Sequence, residues 1–145
     1  MSESGSSIQG QCLCGAVGFE AGLPEIWAAN CHCTLCRRAG GAPFVTWVGF
    51  DAARLRVVRG EKKLGRYRSS PEATRSFCKR CGSPLFFESS RWAGEIHVTR
   101  AALPDDAGLA PTRHSFYSNK APWLSVHDDL PKHGGTTGKE PLDGE

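Results

Sequence analysis

The seven cysteines constrain this chain more than any other feature of its sequence. They fall into three short runs, which are Cys12 and Cys14; Cys31, Cys33 and Cys36; and Cys78 and Cys81. Cysteines separated by only one or two residues are typical of thiolate metal sites. A closed structural zinc site takes four ligands, which leaves three of the seven cysteines. Three ligands with one open position are typical of a reactive zinc.

The spacing within the runs indicates which cysteines share an ion. Residues two apart in a strand face the same side, so Cys12 and Cys14 can converge on one metal. Cys78 and Cys81 have the two-residue gap of a zinc knuckle, and Gly82 behind them permits a left-handed turn. These two pairs predict a four-sulfur site that ties the start of the chain to its middle and contributes to folding.

The remaining run supplies three sulfurs from one local segment. Cys31 and Cys33 share a side of a predicted strand, and His32 between them faces away from the metal. Cys36 lies within a short helix predicted over Thr34–Ala39, which two glycines end. The sequence contains no eighth cysteine. The fourth position is therefore open to water, a histidine or a substrate thiol, and we predict that this trio is catalytic.

Two other interpretations of clustered cysteines fit less well. A disulfide framework is disfavoured by the odd count and by the awkward geometry of neighbouring C-x-C partners. A redox C-x-x-C would be expected within a βαβ pattern, which is missing. The first seven residues contain no apolar stretch that resembles a signal peptide, so we expect a cytoplasmic, reducing location.

Length and charge exclude several function classes. The 145 residues suffice for one domain with a modest core. No run of eighteen apolar residues is present, which predicts no membrane span. The formal charge of +3 falls to about zero once seven thiolates and two zinc ions are included, so nucleic acid is not an expected partner. Nothing in the composition indicates the oligomeric state.

The pattern of β-forming residues and turns predicts a mainly β fold, an antiparallel assembly held by zinc with short helical turns. Strands are predicted over Ile8–Cys12, Ala16–Ala21, Glu25–Asn30, Pro43–Phe50, Leu55–Val58, Leu64–Arg68, Ala73–Phe77, Pro84–Glu88 and Glu95–Thr99. Leu55–Val58 and Leu64–Arg68 are expected to pair around Gly60. We predict a disordered N-terminus over residues 1–7, one zinc-binding domain over 8–133 and a flexible tail over 134–145.

Four motifs carry a family resemblance that covers about residues 8–133. They are G-Q-C-L-C-G-A-V at Gly10–Val17, N-C-H-C-T-L-C-R-R-A-G-G at Asn30–Gly41, F-C-K-R-C-G-S-P-L at Phe77–Leu85, and H-S-F-Y-S-N-K-A-P-W with a later D-D-L-P within His114–Pro131. The chain resembles the glutathione-dependent formaldehyde-activating enzyme family, which also includes a centromere-associated protein. The resemblance implies a zinc-bearing β-tent of antiparallel sheets.

The resemblance also implies two zinc ions per chain and a chemistry. A structural zinc would bind Cys12, Cys14, Cys78 and Cys81, and a catalytic zinc, expected to be labile, would bind Cys31, Cys33 and Cys36. The implied function is that of a carbon–sulfur lyase or synthase acting on a thiol–aldehyde adduct such as S-(hydroxymethyl)glutathione. Its partners would be a small thiol such as glutathione and an aldehyde. The alternative that the residues leave open is a non-catalytic zinc module that binds a protein or nucleic acid.

Four residues are candidates for substrate binding. Arg37 and Arg38 follow Cys36 directly and can hold a substrate carboxylate, although solvated surface charges are an equally good interpretation. His114 and Lys120 match the family motif and are expected to wall the pocket. Trp123 matches the same motif, but core packing is the favoured interpretation of its indole.

Overall fold

The computed structural model describes residues 6–142, and the chain divides into two compact units. The first unit contains the residues up to Ile26 together with Val48–Leu109. The second contains Trp27–Trp47 together with the residues from Ala110 onward.

Within residues 6–142 the structure is mainly β, as the sequence predicts, with twelve strands and one α-helix. No helix in this range is both long and apolar enough to cross a membrane. The strands are β1 (Ser7–Gln11), β2 (Gly18–Gly22), β3 (Trp27–Cys31), β4 (Val45–Asp51), β5 (Leu55–Arg59), β6 (Leu64–Ser70), β7 (Ala73–Cys78), β8 (Pro84–Ser89), β9 (Glu95–Thr99), β10 (His114–Ser115), β11 (His133–Gly134) and β12 (Glu140–Pro141). The helix α1 spans Thr34–Gly40 and lies between β3 and β4.

The first unit contains two runs of antiparallel strands around an aromatic and aliphatic core. One is the sheet β1-β2-β5, and the other runs in the order β9-β8-β7-β6. Phe19 of β2 and Phe86 of β8 are both buried, and their rings meet edge to face with centroids 5.0 Å apart. Such aromatic contacts contribute both buried area and a preferred orientation.

The predicted pairing of the strands on either side of Gly60 is wrong. β5 pairs with β2, and β6 pairs with β7. Gly60 has a φ of 76° and is followed by a short 3-10 helix over Glu61–Lys63. This turn leads the chain from one sheet into the other, so β5 and β6 do not form a hairpin.

In the second unit, β3 pairs with β10 in parallel, with Ser115 opposite Cys31. Parallel neighbours need a long connection, and these two strands are distant in sequence. The pair is an exception to the expected antiparallel arrangement. Helix α1 begins directly after Cys33 and ends at Gly41, whose φ of 61° forms a left-handed cap, so the predicted helix and its glycine stop are confirmed.

The end of the described chain is paired in a region where the sequence predicts a flexible tail. β11 and β12 form a short antiparallel ladder, in which His133 lies opposite Pro141. The backbone N–H of Phe116 donates to the carbonyl of Gly138 at 3.1 Å, which joins this segment to the turn after β10. Residues 143–145 of the predicted tail and residues 1–5 of the predicted disordered N-terminus lie outside the described residues.

Candidate metal centres

The first unit brings together four cysteine sulfurs at the ends of two strands. The sulfurs of Cys12, Cys14, Cys78 and Cys81 all lie within 4.8 Å of one another. The Cys12 sulfur is 3.7 Å from that of Cys14, which in turn is 3.9 Å from that of Cys78. Cys12 directly follows β1 and Cys78 is the last residue of β7. The structure thus groups the two pairs that the spacing assigns to one ion.

Backbone N–H groups are directed at these sulfurs. The N–H of Val17 lies 3.3 Å from the Cys12 sulfur, and those of Arg80 and Cys81 lie 3.3 and 3.4 Å from the Cys78 sulfur. Gly82 has a φ of 81° at the end of this turn. Hydrogen bonds from N–H donors stabilise the thiolate form, which is the form that binds metals.

The four thiols cannot all ionise easily without a cation. A hydrogen bond from Ser83 lowers the pKa of Cys81 to about 5. For Cys14, a backbone N–H from Ala16 acts in the opposite direction to burial and to the neighbouring cysteines, and the net result raises the pKa to about 11. The thiolate form is therefore favoured at Cys81, while ionisation of Cys14 is opposed. A divalent cation that prefers thiolate ligands would neutralise the charge of four such sulfurs, so these residues fit zinc.

The second unit brings together the other three cysteines. The sulfurs of Cys31, Cys33 and Cys36 lie within 4.8 Å of one another, and no further histidine, cysteine or carboxylate among residues 6–142 joins this group. Cys31 ends β3, and Cys33 caps α1 because its sulfur accepts from the Cys36 N–H at 3.2 Å. The neighbouring Cys33 and Cys36 raise the pKa of Cys31 far above the ordinary value of a thiol. This crowding of sulfurs also fits a bound cation.

His32 lies outside the three-sulfur group, which confirms the prediction that its side chain faces away from these sulfurs. Its side chain is completely buried, and its Nε2 is 2.8 Å from Nδ1 of His114. The Nε2 of His114 is 2.9 and 3.1 Å from the two carboxylate oxygens of Asp128. Burial is the main cause that lowers the pKa of His32 to about 4, so its ring is neutral.

Of the predicted substrate-binding residues, Arg37 lies nearest in sequence to the three cysteines. It belongs to helix α1. Its N–H donates to the carbonyl of Cys33 at 3.0 Å, so the two residues are one helical turn apart on the same face. Its guanidinium lies 5.7 Å from the ring centroid of Trp123. The Nε of Arg37 is buried and has no hydrogen-bond partner among the described residues. Arg38, in contrast, is exposed.

The other two predicted substrate residues already have partners. His114 is 1% exposed, with hydrogen bonds at both ring nitrogens. The ammonium of Lys120 donates to the carbonyl of Leu124 at 2.6 Å. The prediction that Trp123 packs in the core is wrong, since its side chain is 72% exposed. Tyr117 of the same stretch is buried instead, with its ring 5.1 Å from that of His32.

Asp128 is a residue that the sequence analysis did not identify. It belongs to the D-D-L-P motif, and its carboxylate accepts from the backbone N–H of Leu130 at 3.0 Å as well as from His114. The hydrogen bonds from His114 and Leu130 outweigh the opposing effect of desolvation and hold the pKa of Asp128 below its usual value. The only sequence signal was the presence of His114 and Asp128 in neighbouring motifs.

Comparisons with known proteins relate most of this chain to one family. The family profile described as glutathione-dependent formaldehyde-activating enzyme matches residues 7–119. A protein of Halomonas elongata, provisionally named a glutathione-dependent formaldehyde-activating enzyme, is 32% identical over 127 residues, covering 82% of this chain and 80% of its own. An uncharacterised lyase of Schizosaccharomyces pombe is 37% identical over 79 residues, covering 54% of this chain and 56% of its own.

A solved structure shows the same fold. The crystal structure of a Rhodobacter sphaeroides protein superposes with a TM-score of 0.60 at 32% sequence identity, covering 72% of this chain and 98% of that one. The match of the family profile to most of the chain, together with the relative that is similar over four-fifths of both lengths, confirms the resemblance carried by the cysteine motifs. The chain belongs to the glutathione-dependent formaldehyde-activating enzyme family.

Proposed function

We propose that this protein is a zinc-dependent enzyme that forms and cleaves the carbon–sulfur bond between a small thiol and an aldehyde, with glutathione and formaldehyde as the first substrates to test. In the forward direction the thiol sulfur forms a bond to the aldehyde carbon, and the carbonyl π bond breaks. The proton lost by the thiol ends on the former carbonyl oxygen, which gives an S-(hydroxymethyl) adduct. The reverse direction releases both substrates, and no oxidant or reductant is required.

The observation that carries this proposal is the three-sulfur group of Cys31, Cys33 and Cys36, which has no fourth ligand among residues 6–142. Three protein ligands with one open position distinguish catalytic zinc sites from closed structural ones. A zinc ion bound here would lower the pKa of an incoming thiol and hold it as a thiolate. We assign the four-sulfur group of the first unit to a structural zinc. Reduced cysteines are needed at both sites, which favours a reducing compartment such as the cytoplasm.

Arg37 is the residue that we assign to substrate binding. It lies one helical turn from Cys33, on the same face of α1, and its buried Nε lacks a partner among the described residues. A buried donor without an acceptor costs about 1–3 kcal/mol, so a movement of the side chain that lets a ligand supply an acceptor is favoured. Glutathione carries two carboxylates, and a guanidinium binds a carboxylate with two parallel hydrogen bonds. The exposed indole of Trp123, next to the guanidinium, offers an apolar surface to the same ligand.

The other three candidates receive different assignments. Arg38 is exposed and can attract an anionic thiol without a fixed contact. Lys120 and His114 are engaged in internal hydrogen bonds, so we assign them to the support of the site.

Exchange spectroscopy by NMR tests the proposed function, because it measures the rate at which formaldehyde and glutathione interconvert with their adduct at equilibrium. We expect the protein to accelerate this exchange and Cys33→Ser to abolish the acceleration. Arg37→Ala should raise the KM for glutathione about tenfold, as expected for the loss of a charge-assisted hydrogen bond of about 1.5 kcal/mol. Leu35→Ala is the matched control, since Leu35 is an exposed residue of the same helix. Unchanged exchange in Cys33→Ser would refute the proposal.

A further inference from the structure

A chain of three side chains leads from the three-sulfur group to the protein surface. It runs from His32 through His114 to Asp128, with hydrogen-bonding distances of 2.8 Å for the first step and 2.9 Å for the second. Both imidazoles are fully or almost fully buried, while the Asp128 side chain is 43% exposed. Buried imidazoles with such short contacts have one fixed orientation, because any ring flip would lose hydrogen bonds that water cannot replace.

The carboxylate at the end of the chain determines where the protons are. An ionised carboxylate only accepts, so Nε2 of His114 carries a proton and donates to Asp128. When this is the only ring proton of His114, Nδ1 is the acceptor, and Nε2 of His32 must donate to it. The Nδ1 of His32 therefore carries no proton, and it is buried without a partner among the described residues. A single carboxylate thus selects the tautomer of two rings.

His32 is also the residue between two candidate metal ligands. Its backbone N–H donates to the carbonyl of Ser115 at 2.9 Å, and its ring is held by His114, the residue before Ser115. The backbone and the side chain of His32 are therefore both attached to the segment around β10. Because Cys31 and Cys33 are covalently joined to His32, this double attachment limits how far their sulfurs can move apart.

We propose that Asp128 and His114 are positioning residues that hold Cys31 and Cys33 in metal-binding geometry through His32. This inference rests on the proposed function, since it assumes that the three-sulfur group binds a metal. It acts through the main chain, because the ring of His32 fixes the backbone between the two ligands. Outer-shell partners of metal ligands contribute about 10- to 100-fold to metal affinity, and we expect an effect of this size.

Cobalt titration of the full chain, in competition with a chelator, tests the proposal through the sulfur-to-cobalt charge-transfer bands of each site. The four-sulfur group of the first unit serves as an internal reference in the same molecule. Asp128→Leu should weaken cobalt binding at the three-sulfur group about 10- to 100-fold and alter its spectrum, with the reference site unchanged. Asp128→Asn should retain wild-type affinity within about threefold, because its amide oxygen still accepts from His114 and Leu130. Asp129→Leu is the matched control at the neighbouring position.

A measurement on the wild type is not affected by any local unfolding that a substitution at Asp128 causes. The ¹⁵N shifts of the wild-type histidines should show His32 protonated at Nε2 only and His114 protonated at Nε2 only. Averaged shifts, or a proton on Nδ1 of His32, would overturn the proposal. The proposal would also be overturned if Asp128→Leu and Asp129→Leu lost equal cobalt affinity at the three-sulfur group, or if Asp128→Leu kept the wild-type affinity. In either case, the proposed function would still stand if the wild type bound cobalt at two sites. A wild-type chain that binds cobalt only at the four-sulfur group would overturn both.

Discussion

At the scale of single residues, a few positions are fixed by the space around them. Gly60 combines a φ of 76° with a location where a Cβ atom would meet the carbonyl oxygen of Ala16. Gly94 has a similar φ of 86°, but a Cβ there would meet nothing within 4 Å. The two glycines therefore separate the cost of the left-handed conformation from the cost of a steric clash.

We expect Gly60→Ala to lower the free energy of unfolding by about 2–4 kcal/mol, because it incurs about 1–2 kcal/mol of left-handed strain together with overpacking against backbone. Gly94→Ala should lower the free energy of unfolding only by the cost of the left-handed conformation, about 1–2 kcal/mol. Urea denaturation of both variants, with metal held at the same concentration, measures the difference. Equal losses would show that the turn at Gly60 relaxes away from Ala16.

Asp128 provides a prediction about pH. Its folded pKa lies below the usual value near 3.8, because His114 and Leu130 donate to the carboxylate. The unfolded chain therefore binds a proton first as the pH falls, so the stabilisation is present above about pH 4 and is lost as the pH falls through the folded pKa. Side-chain ¹³C NMR should show Asp128 titrating below pH 3.8 in the wild type and closer to that value in His114→Ala. A wild-type midpoint above 3.8 would contradict the assigned hydrogen bonds.

At the scale of elements, α1 shows how one residue serves both the fold and the site. Cys33 precedes the helix, and its sulfur accepts from the Cys36 N–H at 3.2 Å. The helix has only seven residues, so its stability depends on its ends and on tertiary contacts more than on intrinsic propensity. Loss of Cys33 therefore removes a helix cap as well as a candidate metal ligand.

Substitutions at Cys33 can separate these two roles in the metal-free protein. Serine is a good N-cap, so we expect Cys33→Ser to match the wild type or exceed it in stability when no metal is present. Cys33→Ala should be less stable than Cys33→Ser by about 1 kcal/mol, because the Cys36 N–H loses its acceptor. Chemical denaturation in the presence of a chelator measures both variants. Equal stabilities would show that the cap contributes nothing to this helix.

Element-scale features also show what the sequence could predict. Most strands and α1 were predictable because β-forming runs and glycines are local signals. The partners of β5 and β6 were not predictable, since the conformation after Gly60 decides which sheet each strand joins. The parallel pairing of β3 with β10 depends on a contact between distant segments, which no local pattern encodes.

In the candidate sites too, local features were predictable from the sequence, whereas the contact between two distant histidines was not. Short gaps place the sulfurs of one run together, so the three-sulfur group was predictable from a single segment. The four-sulfur group was predictable from the cysteine count, since the two remaining pairs complete a four-ligand site although they are distant in sequence. The contact between His32 and His114 joins residues 82 positions apart, and it became visible only in the structure. Trp123 was misassigned because an indole in a Pro-containing segment gives no periodic signal that distinguishes an exposed ring from a buried one.

At the scale of the whole molecule, the chain carries two sulfur groups of different composition. One gathers four cysteines from the ends of β1 and β7 and the turns that follow, and the other takes three from the junction of β3 and α1. The sequence separation of the first group favours a role in folding, since a metal there closes a long loop. The local origin of the second group leaves it less dependent on metal for its formation, which suits a site that exchanges ligands.

Native mass spectrometry of the full chain, purified with zinc and then mixed with glutathione, tests this division most directly. We predict two zinc ions per wild-type chain, with one glutathione retained on the two-zinc species. Cys33→Ser should retain one zinc and no glutathione. A wild-type chain that never exceeds one zinc, or a Cys33→Ser chain that keeps two zinc ions together with glutathione, would contradict the central claim that the three-cysteine group is an open metal site.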